Sequence, residues 1–208
     1  MSVDAPVSAR PVGRPRQYGD KAERRLILDA AYAALRDHGQ EFTVANILTA
    51  AGVSTRSFYR HFESKQALLC AMYRRDAEWA AQRVAKRLAD AASPVAAVTD
   101  WIDEIFSFVR EKERAERVAV LGSITGSRAH DIDAEAAKAR QLLIEPLRLA
   151  IELGVSGGVF ESDHPVLHAD LIAAAVMRAA GLSAPFVSKS HDQSAVTAFC
   201  LRALRAGR

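Results

Sequence analysis

FTVANILTAAGVSTRSFYRHFESK, residues 42–65, has the pattern of two short helices joined by a tight turn. Four apolar residues spaced i, i+3, i+4 and i+7 form one face of the first helix. They are Val44, Ile47, Leu48 and Ala51. Thr43 precedes them as an N-cap, and Gly52 follows where a chain leaving a helix often needs a positive φ. The pattern therefore predicts a short capped helix that ends in a turn.

The second half of the stretch predicts another short helix, which Ser54 can cap and which runs from Thr55 to about Phe62. Phe58 and Phe62 lie four residues apart and would pack inward. The side chains left facing outward are all hydrogen-bond donors, namely Thr55, Arg56, Ser57, Tyr59, Arg60 and His61. Such a helix held across another is typical of a helix-turn-helix and its recognition helix, although an ordinary hairpin with a solvated face has the same spacing.

The order of residues resembles the helix-turn-helix of the TetR (tetracycline-repressor-like) family of bacterial regulators. That family shows a Thr-initiated helix, Ala-Gly-Val-Ser, a variable pair, an aromatic or Leu-Tyr pair, His-Phe, and Lys before the next helix. The matching positions are Thr43, Ala51-Gly52-Val53-Ser54, Phe58-Tyr59, His61-Phe62 and Ser64-Lys65. The resemblance is close over about residues 26–69. Beyond them only the chain length and the succession of helical patterns agree with the family.

The resemblance, together with the geometry of a recognition helix, implies two kinds of DNA contact. Thr55, Arg56 and Ser57 open the helix at the end that enters the major groove, so we expect them to contact bases. Arg56 can make a bidentate contact to guanine, worth about 1–3 kcal/mol of discrimination. The positions that match phosphate contacts in the family are Thr43, Tyr59, His61 and Lys65. Phosphate contacts fix the register of the protein on DNA without distinguishing sequences.

Two residues of the stretch do not fit this scheme as well. Arg60 has no clear role and is interpreted as a solvent-facing residue. Ala45 departs from the family pattern, because many relatives carry a polar or charged residue there. This departure weakens any base contact from the first helix of the pair.

Residues 1–19 lack periodicity and are rich in Pro, Ser, Ala and Arg, which predicts a disordered arm. Within it, Gly13-Arg14-Pro15-Arg16 resembles the core of an AT-hook, an extended segment that lays arginines along a narrow A·T-rich minor groove. Such a groove concentrates negative potential and attracts inserted arginine, so Arg14 and Arg16 are candidate minor-groove contacts. A basic tail that adds only loose electrostatic affinity is the alternative.

The distribution of charge is consistent with binding of a polyanion at the N-terminal end of the molecule. Residues 1–75 hold 12 Lys/Arg against 7 Asp/Glu, a net +5, whereas residues 76–208 hold 16 against 18, a net −2. No apolar run approaches the roughly 20 residues of a membrane span, and the N-terminus has no signal-peptide core, which predicts a cytoplasmic protein. Cys70 and Cys200 are far apart and are interpreted as buried free thiols.

The rest of the chain predicts an all-α protein. Asp20 and Glu23 can form a capping box for a first helix that Gly39 ends, and Ser64 can cap a long helix that Ser93-Pro94 breaks. Further helical patterns occupy about 95–111, 114–123, 131–154 (with Pro146 inside), 164–182 and 191–206, the last with a capping box from Ser190 and Gln193.

The resemblance implies a division into three parts. These are a basic arm at 1–19, a three-helix DNA-binding domain at 20–66, and an all-helical bundle for effector binding and dimerisation at 67–208. The expected protein is a transcriptional regulator, usually a repressor, that binds a palindromic double-stranded operator as a homodimer and is released by a small molecule. One recognition helix covers few base pairs, so two copies related by a two-fold axis are expected.

The homodimer is expected through the last two long helices, about 165–182 and 191–206. Six small residues there permit close helix approach, namely Ala173, Ala174, Ala175, Ala179, Ala180 and Gly181; packing within one subunit is the alternative. The effector pocket is expected among the fourth to eighth helices. Its candidate lining is Trp79, Trp101, Ile105, Phe106, Phe108, Leu121 and Met177, which would suit a lipophilic molecule, although each is also a plausible core residue.

Enzyme signatures are not visible in the sequence. There is no nucleophile elbow, no Gly-rich phosphate loop and no paired carboxylates in a recognisable frame, so we expect neither catalysis nor a cofactor. His164 and His168 have metal-ligand spacing on one helix, but exposed imidazoles at a helix start are the simpler interpretation, and no metal is expected. The rival functions are an architectural DNA-binding protein without an effector, and an enzyme or interaction module that uses the C-terminal part.

Overall fold

The computed structural model describes residues 19–111, 130–182 and 191–204. Within these ranges the chain forms α-helices and turns and no strand, which confirms the all-α prediction. Residues 1–18 of the predicted arm (1–19) and the predicted helix at 114–123 lie outside the described residues.

Eight α-helices and one 3-10 turn occupy the described ranges. They are α1 (Asp20–His38), the 3-10 turn (Gly39–Glu41), α2 (Val44–Ala51), α3 (Thr55–His61), α4 (Lys65–Ala89), α5 (Pro94–Arg110), α6 (His130–Ser156), α7 (Pro165–Ala179) and α8 (Gln193–Ala203). The predicted boundaries agree to within a few residues, and α4 and α7 end about three residues earlier than expected. Pro146 lies inside α6, as predicted.

The short helices begin and end where the sequence predicts. Thr43 caps α2 in a capping box with Asn46, whose side chain accepts a hydrogen bond from the Thr43 backbone at 2.7 Å. Gly52 then adopts a left-handed conformation at φ 63°, which a residue with a side chain rarely adopts. Ser54 and Ser64 cap α3 and α4 by accepting from backbone amides three residues on.

Two cap predictions are wrong. Helix α1 already includes Asp20, its N-cap is Gly19, and no side chain caps it, because the Glu23 carboxylate bonds to α3 instead. At α8 the cap is Asp192, which accepts from the Ser194 amide at 3.0 Å. The predicted cap, Ser190, lies outside the described residues.

Two separate hydrophobic clusters hold the helices together. The N-terminal cluster joins α1, α2, α3 and the first turns of α4, from Ile27 to Met72. The C-terminal cluster begins at Ala80 on α4 and includes α5 to α8 as far as Leu204. Helix α4 therefore contributes to both clusters, although the domain boundaries at residues 19/20 and 66/67 stay predictions.

Ion pairs connect α4 to its neighbours on both sides. Arg75 Nη1 lies 2.7 Å from Asp29 Oδ1 on α1. One residue earlier, Arg74 Nη2 lies 3.0 Å from Glu135 Oε1 on α6, and this pair holds the pKa of Glu135 below its ordinary value. Any tilt of α4 would therefore change its contacts with helices of both clusters.

The C-terminal cluster is assembled from residues far apart in sequence. Trp101 of α5 is fully buried, and its Nε1 donates to the Leu143 carbonyl of α6 at 2.8 Å. At the end of α6, a Cβ on Gly154 would lie 2.1 Å from the Phe160 ring, so this position needs glycine for close packing. Among the helices of the described ranges, none is both long and apolar enough to cross a membrane.

Candidate nucleic-acid interface

Helix α3 is held against the N-terminal cluster by two aromatic residues. Phe58 is fully buried and Phe62 nearly so, and their ring centroids lie 5.9 Å apart. Tyr59 packs its ring edge-on against Phe58, with centroids 5.3 Å apart, while about half of the Tyr59 side chain stays exposed. The inward positions of Phe58 and Phe62 agree with the spacing in the sequence.

The N-terminal turn of α3 presents polar side chains to solvent. Thr55 and Arg56 are exposed, as is Tyr59 one turn later. Over the residues that the structure describes, no hydrogen bond or ion pair holds the Arg56 guanidinium. Its donors are free for a planar acceptor such as the guanine edge, which is the geometry that a bidentate contact requires.

Of the other three donors of α3, Arg60 is exposed as predicted but paired, whereas Ser57 and His61 do not face outward as predicted. Ser57 is half-buried, and its hydroxyl donates to Glu23 Oε1 of α1 at 2.6 Å. His61 has only 8% of its side chain exposed, and its Nε2 lies 2.9 Å from Glu23 Oε2. Arg60 forms an ion pair with the same Oε2 atom, so it is not a purely solvent-facing residue. One carboxylate on the neighbouring helix turns all three side chains towards α1.

The electrostatic state of Glu23 follows from these contacts. The hydrogen bond from Ser57, with those from His61 and Arg60, lowers the pKa of Glu23 to about 2. The carboxylate is therefore ionised across the physiological range and accepts from all three partners at once. Local spacing in the sequence predicts only a capping role for Glu23, because its contacts with α3 join residues 34 to 38 positions apart.

The two remaining predicted phosphate contacts lie at the starts of α2 and α4. Lys65 Nζ donates to the Phe42 carbonyl and lies 4.0 Å from the centroid of the Phe42 ring. Burial lowers the pKa of Lys65. The Thr43 hydroxyl is already engaged in its capping box, at 2.6 Å from Asn46 Oδ1. Both residues stabilise the local backbone whether or not they also bind phosphate.

Histidine and carboxylate side chains come together at the same place. Asp20, Glu23 and His61 offer ligand atoms within 4.8 Å of one another. Because Glu23 already accepts from Ser57, Arg60 and His61, hydrogen bonding accounts for this arrangement. The i, i+4 pair His164 and His168 forms no such three-residue group within the described ranges, and His168 Nδ1 lies 2.8 Å from Ser162 Oγ.

Most of the candidate effector-pocket residues are packed in the C-terminal cluster. Trp101 and Ile105 are fully buried, and Phe106 and Phe108 nearly so. Met177 packs partly buried against the same cluster, and Leu121 lies outside the described residues. Trp79 alone of the described candidates is well exposed, at 38%, with its ring centroid 6.1 Å from that of Phe108. Their role as pocket lining stays a prediction.

An apolar surface lies on the two helices proposed for dimerisation. Leu167 and Leu171 of α7 and Phe199 of α8 are each more than half exposed. Ala174, one turn after Leu171 on α7, is exposed as well. A shallow open groove of about 350 Å³ adjoins them. It is lined by Ala175, Ala179, His191, Asp192, Ala195, Val196 and Phe199.

The structure changes which small residues could serve a dimer. Ala173, Ala179 and Ala180 are buried within the subunit, so for these three the packing alternative applies. Ala174 and Ala175 remain accessible on α7. The large apolar side chains exposed on these two helices include Leu167, Leu171 and Phe199, none of which was predicted at the dimer interface.

Polar side chains connect α4, α5 and α8. Arg87 of α4 pairs with Asp100 and Asp103 of α5, each at 3.1 Å, and with the buried Glu104 at 3.4 Å. The side chain of Gln193, in the first turn of α8, donates to Asp103. A polar chain thus joins the C-terminal half of α4 to one of the helices proposed for dimerisation.

Comparison with known families identifies the N-terminal part. Residues 27–72 match the family model described as bacterial regulatory proteins, tetR family. The match covers the last 12 of the 19 residues of α1, all of α2 and α3, and the start of α4, and α3 and the starts of α2 and α4 carry the candidate DNA contacts. No curated protein sequence matches the chain.

Solved structures share the fold over most of the chain. The transcriptional regulator FadR from Bacillus subtilis, in complex with stearoyl-CoA, is 16% identical, with 88% of this chain and 98% of that chain covered and a TM-score of 0.70. Reduced NemR from Escherichia coli is 19% identical over 90% and 100%, with a TM-score of 0.71. A tetR-family regulator from Agrobacterium tumefaciens is 22% identical over 90% and 100%, with a TM-score of 0.67.

Proposed function

We propose that this chain, whose residues 27–72 match the model of the tetR family of bacterial regulatory proteins, regulates transcription by binding a palindromic operator as a homodimer. The observation that carries this proposal is the exposed N-terminal turn of α3, where Arg56 has no partner among the described residues. Arg56 and Thr55 would contact bases, while Tyr59 and Lys65 would contact phosphates. Such a protein acts on DNA in the bacterial cytoplasm.

Selection from a random DNA pool with the purified full-length protein tests this proposal. The expected product is an inverted repeat whose half-sites lie about 10 base pairs apart, or a multiple of this, because two recognition helices must enter major grooves on one face of the duplex. Enrichment of no sequence at physiological salt would contradict sequence-specific binding and favour the architectural or non-DNA alternatives.

The exposed apolar face of α7 and α8 supports the homodimer. Leu171 is 58% exposed there, whereas Leu153 of α6 is 67% exposed elsewhere. We expect Leu171→Glu to shift sedimentation from dimer to monomer, because a charge would be desolvated at the interface. The matched variant Leu153→Glu should leave the dimer intact. Dissociation by Leu153→Glu and not by Leu171→Glu would place the interface on α6 instead.

Release by a small molecule is the proposed mode of regulation. Two of the similar structures hold small molecules, FadR a stearoyl-CoA with a long acyl chain and RolR the aromatic ligand resorcinol. Here the effector would be a lipophilic molecule bound among the helices that follow α3, beside Trp79 and Met177. Helix α4 is suited to transmit its binding, because Arg75 ties it to α1 and Arg74 ties it to α6.

Thermodynamic linkage gives this mechanism a test once an effector is known. An effector that changes DNA affinity by some factor must itself bind less tightly, by the same factor, when operator is present. Coupling of about 1–3 kcal/mol corresponds to about 5- to 150-fold. Equal effector affinities with and without operator would exclude a ligand-released repressor, even if the DNA site were correct.

The N-terminal arm is proposed to add minor-groove contacts through Arg14 and Arg16. Removal of residues 1–19 should reduce affinity most for operators flanked by A·T pairs, because a narrow groove attracts arginine. The comparison is between two operators that differ only in A·T or G·C flanks. An equal loss on both would leave only the electrostatic tail.

A further inference from the structure

We propose that Glu23 is a positioning residue for DNA recognition, which sets the rotation of α3 and keeps Arg60 away from the phosphates. This inference rests on the proposed DNA binding. Its basis is the contact of one α1 carboxylate with three side chains of the recognition helix. The Ser57 hydroxyl lies 2.6 Å from this carboxylate, the His61 imidazole lies 2.9 Å from it, and Arg60 forms an ion pair with it.

Helix α3 needs such a contact because it is short. Seven residues form fewer than two full turns, and isolated helices of this length are unstable in water. Phe58 and Phe62 fix how deeply α3 lies against the cluster. Ser57 and His61, at i and i+4, are on a second stripe of the helix. Bonds from both stripes to fixed neighbours prevent rotation of α3 about its own axis.

The carboxylate also decides which α3 donors remain for DNA. Because the Ser57 hydroxyl donates to Glu23, its hydrogen is not available to a base edge. Base recognition then depends on Thr55 and Arg56, and Ser57 acts through Glu23 rather than as a direct donor. The predicted base contact of Ser57 is therefore replaced, in this proposal, by a role in orientation.

The charge of Arg60 is also controlled by its ion pair with Glu23. Its guanidinium pairs with Glu23 and also donates to Ser57 Oγ at 3.2 Å, so its charge is compensated within the protein. A freed Arg60 would be a mobile cation on the recognition helix. Each added phosphate contact steepens the dependence of log affinity on log salt by about 0.9.

The chain provides a matched control for loss of the carboxylate. Asp29 lies on the same helix, carries the same charge and also pairs with an arginine, Arg75, but that arginine is on α4. Glu23→Gln and Asp29→Asn therefore remove equal charge from α1, and only the first releases α3. Fluorescence anisotropy would measure each variant on the operator selected by the wild type and on a scrambled duplex, over a range of salt.

We expect Glu23→Gln to lower the ratio of operator to scrambled affinity by about tenfold, comparable to the loss of one base contact. Its salt dependence on scrambled DNA should steepen by about one phosphate contact, and the double variant Glu23→Gln/Arg60→Ala should restore the wild-type slope. Asp29→Asn should keep the wild-type ratio and slope. A parallel loss on both duplexes with an unchanged slope would overturn the proposal, since general destabilisation has that effect.

A measurement without DNA separates this inference from the proposed function. Hydrogen exchange of the free full-length protein should show faster exchange of α3 amides in Glu23→Gln, with α2 amides unchanged, and Ser57→Ala should show a smaller effect of the same kind. If the wild type selects no DNA sequence, the proposed function fails whatever the exchange shows. If the wild type selects an operator but α3 exchange and specificity are the same in Glu23→Gln, only the positioning role of Glu23 is overturned.

Discussion

The N-terminal cluster and the C-terminal cluster are built on different scales. In the first, α2 and α3 have 8 and 7 residues, and each begins at a cap provided by the residue before it. In the second, α6 alone has 27 residues and packs against side chains from helices distant in sequence. Short capped helices thus build much of the N-terminal cluster, whereas the C-terminal cluster is packed mainly from longer helices that are distant in sequence.

The two clusters also treat polar groups differently. Glu23 accepts hydrogen bonds from Ser57 and His61 of α3, which lie 34 and 38 residues later in the chain. Thr55 and Arg56 of the same helix stay exposed and are the proposed base contacts. At the C-terminal cluster, Arg87 and Glu104 form an ion pair that connects α4 to α5. The contrast indicates that polar groups orient a contact surface in one region and connect long helices in the other.

The largest effects should come from core truncations, which test whether the clusters unfold separately. Phe58→Ala and Trp101→Ala each remove a fully buried aromatic ring and should each cost about 3–5 kcal/mol. Hydrogen exchange should show loss of protection in α1–α3 for Phe58→Ala and in α5–α8 for Trp101→Ala. If both variants lost protection equally across all helices, α4 would couple the two clusters into one unfolding unit, and the clusters would not be separate.

The DNA contacts should show the next largest effects. Arg56→Ala should cost about 1–3 kcal/mol on the operator and relax preference at one base pair. Lys65→Ala should weaken all sequences alike and lower the salt slope by about one. Because Lys65 also bonds to Phe42, its variant should melt at a lower temperature than Arg56→Ala. A change of base preference in Lys65→Ala alone would reverse the two assignments.

Acid should act on the N-terminal cluster through Glu23. The pKa of this carboxyl falls from 4.5 to about 2 on folding, so its ionised form stabilises the folded state. That contribution is fully present above pH 4.5 and is lost as pH falls towards 2. We expect about 1–2 kcal/mol, because partial exposure screens the contacts. The free energy of unfolding measured in urea should change less between pH 6 and pH 3 for Glu23→Gln than for the wild type.

The smallest effects should come from the loss of helix caps. One N-cap side chain can be removed from each cluster, so the two clusters are compared after the same kind of change. Thr43→Ala and Asp192→Ala each remove a side chain that accepts a backbone amide, and each should cost about 0.5–2 kcal/mol. Thr43→Ala should also reduce operator affinity, since α2 supports α3, whereas Asp192→Ala should not. Thermal unfolding and operator titration of the two variants measure both differences.

Sequence patterns were most informative where structure is local. The capped starts of α2, α3 and α4, the left-handed Gly52 and the inward Phe58 were all predictable, because each depends on residues within one turn. The exposed positions of Thr55 and Arg56 followed from the same periodicity. The buried position of His61 did not follow, because its partner Glu23 lies 38 residues away.

By itself, the sequence determined that the chain is helical, that it contains a helix-turn-helix, and which short helix presents Arg56. These properties depend on intrinsic caps, helical periodicity and glycine conformation, which act between neighbouring residues. Only the tertiary structure decided that Glu23 holds Ser57, Arg60 and His61, and that Leu171 and Phe199, rather than most of the alanines, form the exposed apolar face. Burial and hydrogen bonding between helices depend on how those helices pack, and that packing is set by the whole chain and not by any single stretch.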